Sequence, residues 1–398
     1  MISMAFGGTS IGVLYAVVNL LLIPFLSKKF GDPQLPGQLV SIGMLSTVFV
    51  GPLIGVLSDR MKKRTPFVLL ISIAGSVSIL GLMFPSKIVA AAAGVLVVAS
   101  AFCFLTPYSA LISDYSPQNK KDRNFGIVTG VVNVTTFLAS IFINVTYESN
   151  SQLTFFVLSM VVLLSVIPLL LYVRKEPPAS ANIAEKERQK ESILLFLKKH
   201  PLFLICLFIQ FGFWFSFGGL IPYLTSFLNA ELSMGLGSAA MWVGTLTLIS
   251  GGSAFLTGRM SNLLGQKRLF MISISTMLLL ATMITCVYNS MMSDSFFAVL
   301  WMISFFGFGI ASGFLQSLSV SILSSTVSPQ EQGKVFGINN VVIIVAESTS
   351  VSLIGYLISA RGYRWMFVTV MGGFLFALFA SLVLFSKSAR MRDIVSEG

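Results

Sequence analysis

Apolar residues run almost unbroken along this chain in twelve stretches, at about 3–27, 38–58, 66–85, 88–112, 125–147, 152–173, 202–228, 236–257, 268–290, 295–325, 335–359 and 365–386. Each is near or above the roughly 20 residues that a helix needs to cross a bilayer. No water is available inside a membrane to satisfy exposed backbone groups, so segments this long and continuous can span it only as helices. The pattern predicts an all-α integral membrane protein with twelve transmembrane helices. Polar and charged residues collect in the short joints.

Composition agrees with that reading. Of 398 residues 55% are hydrophobic and only 10% are charged, against about 25% charged in soluble domains. The net charge of +11 would point to nucleic acid in a soluble protein, but its distribution gives another meaning. All but five of the 26 Lys and Arg residues fall in the even-numbered joints or after the last run; the exceptions are Lys28, Lys29, Lys87, Arg361 and Arg364. By the positive-inside bias the basic side is cytoplasmic, with both termini and the central joint there. The protein is expected in the cell membrane with lipid as its surroundings, and nucleic-acid binding is dropped. The N-terminus enters its first apolar run without a basic lead or a small-residue cleavage site, and is read as a retained helix.

The joint Gly55-Val56-Leu57-Ser58-Asp59-Arg60-Met61-Lys62-Lys63-Arg64 concentrates charge between the second and third runs. A weaker copy, Gly258 to Arg268, lies between the eighth and ninth, and Gly55 to Gly258 is the same spacing as Asp59 to Asn262. Leu22-Ile23-Pro24 is answered by Leu220-Ile221-Pro222, Ser116-Pro117-Gln118 by Ser328-Pro329-Gln330, and Phe125-Gly126 by Phe336-Gly337. Two six-helix pseudo-repeat bundles follow, 1–173 and 202–386, joined by a cytoplasmic loop at 174–201 and trailed by a tail at 387–398. Within the loop, mixed charge from Ala184 to Glu191 precedes an apolar patch, Ile193–Leu197. That segment reads either as a helix lying on the cytoplasmic leaflet or as a solvated linker.

Twelve spans in two halves with this joint resemble the major facilitator superfamily. Its loop signature, Gly-x-Leu-x-Asp-Arg-x-Gly-Arg/Lys-Arg/Lys, is matched at Gly55, Leu57, Asp59, Arg60, Lys63 and Arg64, and departs at Lys62, where the family has Gly. The resemblance implies substrate binding between the halves near the midplane and rocking that exposes the site alternately. It also implies a cytoplasmic gate in which the signature Asp meets the start of helix eleven near Val335. A carboxylate is stabilised there by the helix dipole and free N–H groups. Ser113-Asp114-Tyr115-Ser116-Pro117 with Arg123-Asn124-Phe125-Gly126 resembles the junction of helices four and five in sugar-type members, which adds Asp114 and Arg123 to that gate. The helix-four Arg and the helix-five Gly-Pro motif of proton-driven drug antiporters are missing.

Among the 15 acidic residues, Glu347 alone stands mid-run. An ionised carboxylate in hydrocarbon is costly unless it is paired or wetted, so its default reading is functional, as a proton-coupling group or a site for a cation. The bland alternative is a neutral Glu hydrogen-bonded between helices. Asn340, seven residues earlier, shares its helical face. Tyr15, Asn19, Asn133, Gln210, Trp214, Tyr223 and Gln316 complete the candidate substrate site, because an amide in hydrocarbon needs partners and Trp214 with Tyr223 suits a sugar ring. Gly and Ser stripes at the same spacing read as helix packing.

Cys103, Cys206 and Cys286 have no metal or disulfide spacing, and His200 is the single histidine. No cofactor, metal or catalytic residue is expected, and the protein is not read as an enzyme. The expected activity is secondary active transport, proton-coupled, of a small neutral polar solute such as a sugar or polyol, by a monomer. The alternatives are a proton-coupled exporter of lipophilic or cationic compounds and, in another class, a non-transporting membrane sensor.

Overall fold

The structure, a computed structural model, describes residues 2–61, 63–115, 121–172, 193–288, 295–327 and 331–396. Among them every regular element is helical, and twelve helices are long and apolar enough to cross a membrane. Their crossing portions are α1 Phe6–Phe30, α2 Gln34–Ser58, α3 Thr65–Leu82, α4 Lys87–Tyr115, α5 Gly126–Thr146 and α6 Ser151–Leu169. There follow α7 Pro201–Ala230, α8 Leu236–Leu264, α9 Gln266–Cys286, α10 Trp301–Leu323, α11 Lys334–Arg361 and α12 Arg364–Ser386. The last helix runs on to Ser396, so the segment read as a tail continues the helix. Most of the central loop lies outside the described residues.

Local sequence explains the irregularities. Helix α6 breaks at Ser165–Val166, because Pro168 has no N–H to return to the carbonyl of Leu164. Helix α1 widens into a π-turn over Val17–Leu22, a distortion that often accompanies function. Gly265 opens the ninth helix at φ +82°. It holds, in the second copy of the basic joint, the place of Lys62 in the first. The glycine of the signature is thus used in the second half, where the left-handed backbone needs it.

The repeat is visible in packing. Helix α3 lies against α4 and α6, and α9 lies against α10 and α12 in the same order. By compactness the chain forms two units, one of residues 1–181, 221–251 and 351–363, the other of 182–220, 252–350 and 364–398. Helices α7, α8 and α11 therefore each change unit part-way along.

In the first unit small residues let backbones close up. Gly12 faces the carbonyl of Val132 and the side chain of Thr135 on α5, with Thr136 Oγ1 donating to the Gly12 carbonyl at 3.0 Å. Ser10 and Ser165 hydroxyls meet at 2.6 Å between α1 and α6, and Ser76 and Ser159 do so between α3 and α6. Hydroxyl pairs of this kind join apolar helices where hydrophobic burial against lipid gives little drive. In the second unit rings fill the interior, Phe213 lying parallel to Phe217 at 5.6 Å with Phe374 beside it. The short helix Ile193–Lys199 docks there. Phe196 is buried under the Lys334 ammonium, which lies 4.3 Å from its ring, and His200 Nε2 stands 3.4 Å from Glu331 Oε1.

Candidate functional site

Glu347 is 7% exposed, part-way along α11, and its Oε2 is sealed without a hydrogen-bond partner. It rests on Gly218 of α7. A methyl group at Gly218 would lie 2.3 Å from Glu347 Cγ and 2.7 Å from Oε1, so only glycine admits this side chain. Four residues on, Pro222 sits inside the helix and leaves the Gly218 carbonyl without its helical N–H. In the first half Gly12 of α1 likewise meets Thr135 of α5, and the Gly12 carbonyl accepts a hydrogen bond from Thr136 Oγ1.

The other candidates are placed as follows. On α1, Tyr15 and Asn19 are half-buried on a helix whose neighbouring positions are closed, Asn19 within the π-turn and Tyr15 edge-on to Phe102 at 5.9 Å. On α5, Asn133 is half-buried with its amide against Gly251 of α8. It belongs to a seam in which Gly237, Gly244 and Gly251, seven residues apart, meet Asn144, Ser140 and Asn133. Trp214 and Gln316 are half-buried, Trp214 edge-on to Phe213 at 5.2 Å.

Three expectations change with the geometry. Tyr223 is wholly buried with no ring face open for a sugar; its hydroxyl donates to the Val351 carbonyl at 3.0 Å and is wedged against Gly37 and Gly355. It clasps α7 to α2 and α11, and the two glycines exist to admit it. Asn340 is exposed, and Asn339 is the buried amide, 5% exposed with Oδ1 unpartnered. One residue is 100° of helix, enough to exchange the two faces. Gln210 is 1% exposed beside a void of about 10 Å³ lined by Cys206, Ile209, Phe270, Ser319 and Ile322, and neither amide atom has a partner. Leaving such a group unpaired costs about 1–3 kcal/mol. Gln210→Leu, of similar volume, is therefore expected to raise the thermal unfolding midpoint of the detergent-purified protein. A lower midpoint would show that the amide is bonded.

At the basic joint two residues of the expected gate, from different motifs, come together. Arg64 Nε pairs with Asp114 Oδ2 at 3.3 Å, and its guanidinium also donates to Ser58 Oγ at 2.8 Å. Arg60 and Lys63 are exposed and Gly55 is half-buried with room for a side chain. The side chains of Asp59 and Arg123 lie outside the described residues. Among the described residues no cluster of three metal-ligating side chains occurs.

The sequence model of the Major Facilitator Superfamily matches residues 4–284 and 206–396. No curated protein matches the sequence. Among solved structures the chain is similar to the nucleoside transporter NupG, with a TM-score of 0.79, 13% identity, and coverage of 96% of this chain and 99% of that one. A D-xylose–proton symporter gives 0.75 at 14% identity, covering 96% of each chain. A bacterial homologue of the human lysosomal transporter Spinster, inward-facing and occupied, gives 0.71 at 15% identity, covering 98% of this chain and 96% of that one. At these identities the likeness is one of fold, and the family is established by the sequence match. The chain belongs to the Major Facilitator Superfamily and is a multi-pass membrane transporter, not an enzyme.

Proposed function

We infer that this transporter works by alternating access, couples to protons, and moves a small neutral polar solute such as a sugar or polyol. The observation that carries the reading is Glu347, an acid buried in α11 against Gly218 of α7, the residue whose carbonyl Pro222 frees. A neutral carboxyl can donate its proton to such a carbonyl, whereas an ionised one there has no donor to meet it and must move or be wetted. Two titration states with two preferred positions are what coupling requires. The amides and rings of Tyr15, Asn19, Asn133, Trp214 and Gln316 supply uncharged contacts for the solute. Among the similar folds, one belongs to a D-xylose–proton symporter and one to a nucleoside transporter.

On this reading 1–173 and 202–386 are the moving bundles and 174–201 is their joint. Both termini face the cytoplasm of the cell membrane, and Arg64 with Asp114 belongs to the cytoplasmic gate. The Tyr223 clasp then lies towards the outer side, and a single chain is the working unit. The test is a thermal-stability panel on the purified chain with sugars, polyols and lipophilic cations at pH 5 and 7.5. A ligand at a hundred times its Kd stabilises by about 2.7 kcal/mol. Sugars or polyols are expected to stabilise the protein, and in proteoliposomes to carry protons with them. Stabilisation by lipophilic cations alone would turn the reading to export; binding without flux would make the protein a sensor.

A further inference from the structure

At the end of the first unit opposite the basic joint is a cavity of about 830 Å³, within the range of small-molecule sites. Lys28, Lys29 and Glu148 all line it. Two of the five cations on this side of the chain thus share one cavity with a carboxylate. Among the described residues no ion pair joins any of the three, and Lys28 and Glu148 have no other partner. Lys29 is held in place, donating to the Phe84 carbonyl with its ammonium 5.6 Å from the Phe25 ring centre. The Glu148 carboxylate lies over Gly235, where a methyl group would come within 2.0 Å of Oε1. Phe25 and Tyr147 add aromatic wall.

Charges of both signs facing one space without neutralising each other fit a ligand that carries both. A simple anion would meet Glu148, and a simple cation would meet the two ammoniums. We propose that this cavity binds a small zwitterion with an apolar or aromatic body, its anionic oxygens on Lys28 and Lys29 and its ammonium on Glu148. The body lies along Phe25 and Tyr147, where aromatic faces also favour a cation. The site is separate from Glu347 and independent of which solute passes it. Two sources share this chemistry, a free aromatic amino acid and an ethanolamine phospholipid headgroup.

The full-length protein in detergent would be titrated calorimetrically with L-phenylalanine, and with 3-phenylpropionate and phenethylamine, each of which keeps one charge. A second series would use short-chain phosphatidylethanolamine and phosphatidylglycerol. A zwitterion is expected to bind at least tenfold more tightly than either half-ligand. Lys28→Gln, Glu148→Gln and Gly235→Ala should each weaken it at least tenfold, and Glu347→Gln should leave it unchanged. Binding of phenylalanine identifies a soluble ligand; binding of phosphatidylethanolamine alone identifies a lipid headgroup. No saturable binding of either zwitterion, equal binding of the half-ligands, or variants within twofold of the original protein would overturn the proposal.

Discussion

Glu347→Gln is expected to reduce proton-driven uptake about a hundredfold, the equivalent of roughly 2.7 kcal/mol, while leaving solute exchange across the membrane largely intact. Gln has the size of the protonated acid and keeps a donor for the carbonyl that Pro222 frees on Gly218, so the neutral state of the site is preserved. What it cannot do is release the proton. The cycle is then confined to the neutral arrangement, in which the loaded carrier still reorients. Counterflow, which needs only loaded reorientation, should survive. Uptake against a gradient, which needs the charged state, should not. The pH dependence of uptake should flatten with it. The folded protein should not suffer, because Oε2 is already sealed without a partner and the variant removes a group that is costly to ionise there. The measurement is paired uptake and counterflow in proteoliposomes across pH 5 to 8. Uptake and pH profile unchanged in the variant would make Glu347 a packing residue.

The elements that hold this site were legible in the sequence to different depths. Twelve spans followed from hydropathy alone, because backbone satisfaction in lipid leaves one option for a long apolar run. Asp114 and Arg64 were both named, from separate motifs, and their pairing at 3.3 Å needs only that the two joints lie at one end of a bundle. Glu347 stood out because a mid-span acid is rare. The partner that gives it meaning, Gly218, did not: a glycine carries no sign of what packs on it, and nothing local links positions 218 and 347. Tyr223 failed for a different reason. An aromatic side chain with a hydroxyl suits a sugar site and a helix clasp equally, and only the two glycines beside the hydroxyl separate them. Asn340 is exposed and Asn339 is the buried amide. Seven-residue spacing relates Asn340 to Glu347 along the helix but does not say which of two adjacent amides is closed in.

Gly218→Ala tests whether that glycine holds the carboxylate in place. Two effects oppose each other. Alanine is favoured over glycine in a helix by about 1 kcal/mol, whereas the added methyl would lie 2.3 Å from Glu347 Cγ and 2.8 Å from Cδ. Overpacking of that kind costs about 1–3 kcal/mol when the neighbour must leave its rotamer. Cγ is fixed by the first torsion of the side chain, so relief requires the whole carboxylate to swing away from α7. Stability should fall modestly or hold, and coupled uptake should fall at least tenfold, since the acid no longer rests in the place that Gly218 leaves for it. Combining Gly218→Ala with Glu347→Ala removes the clashing atoms, and the pair should be more stable than the two single changes predict by about 0.5–3 kcal/mol, the range found for residues in contact. Transport should not return with stability in that pair, because the titrating group is gone. Additive stabilities would mean that the two residues do not touch in the working protein, and a Gly218→Ala variant with normal coupling would free Glu347 from any dependence on α7. Recovery of the fold without recovery of coupling is the outcome that separates a positioned proton carrier from a well-packed side chain.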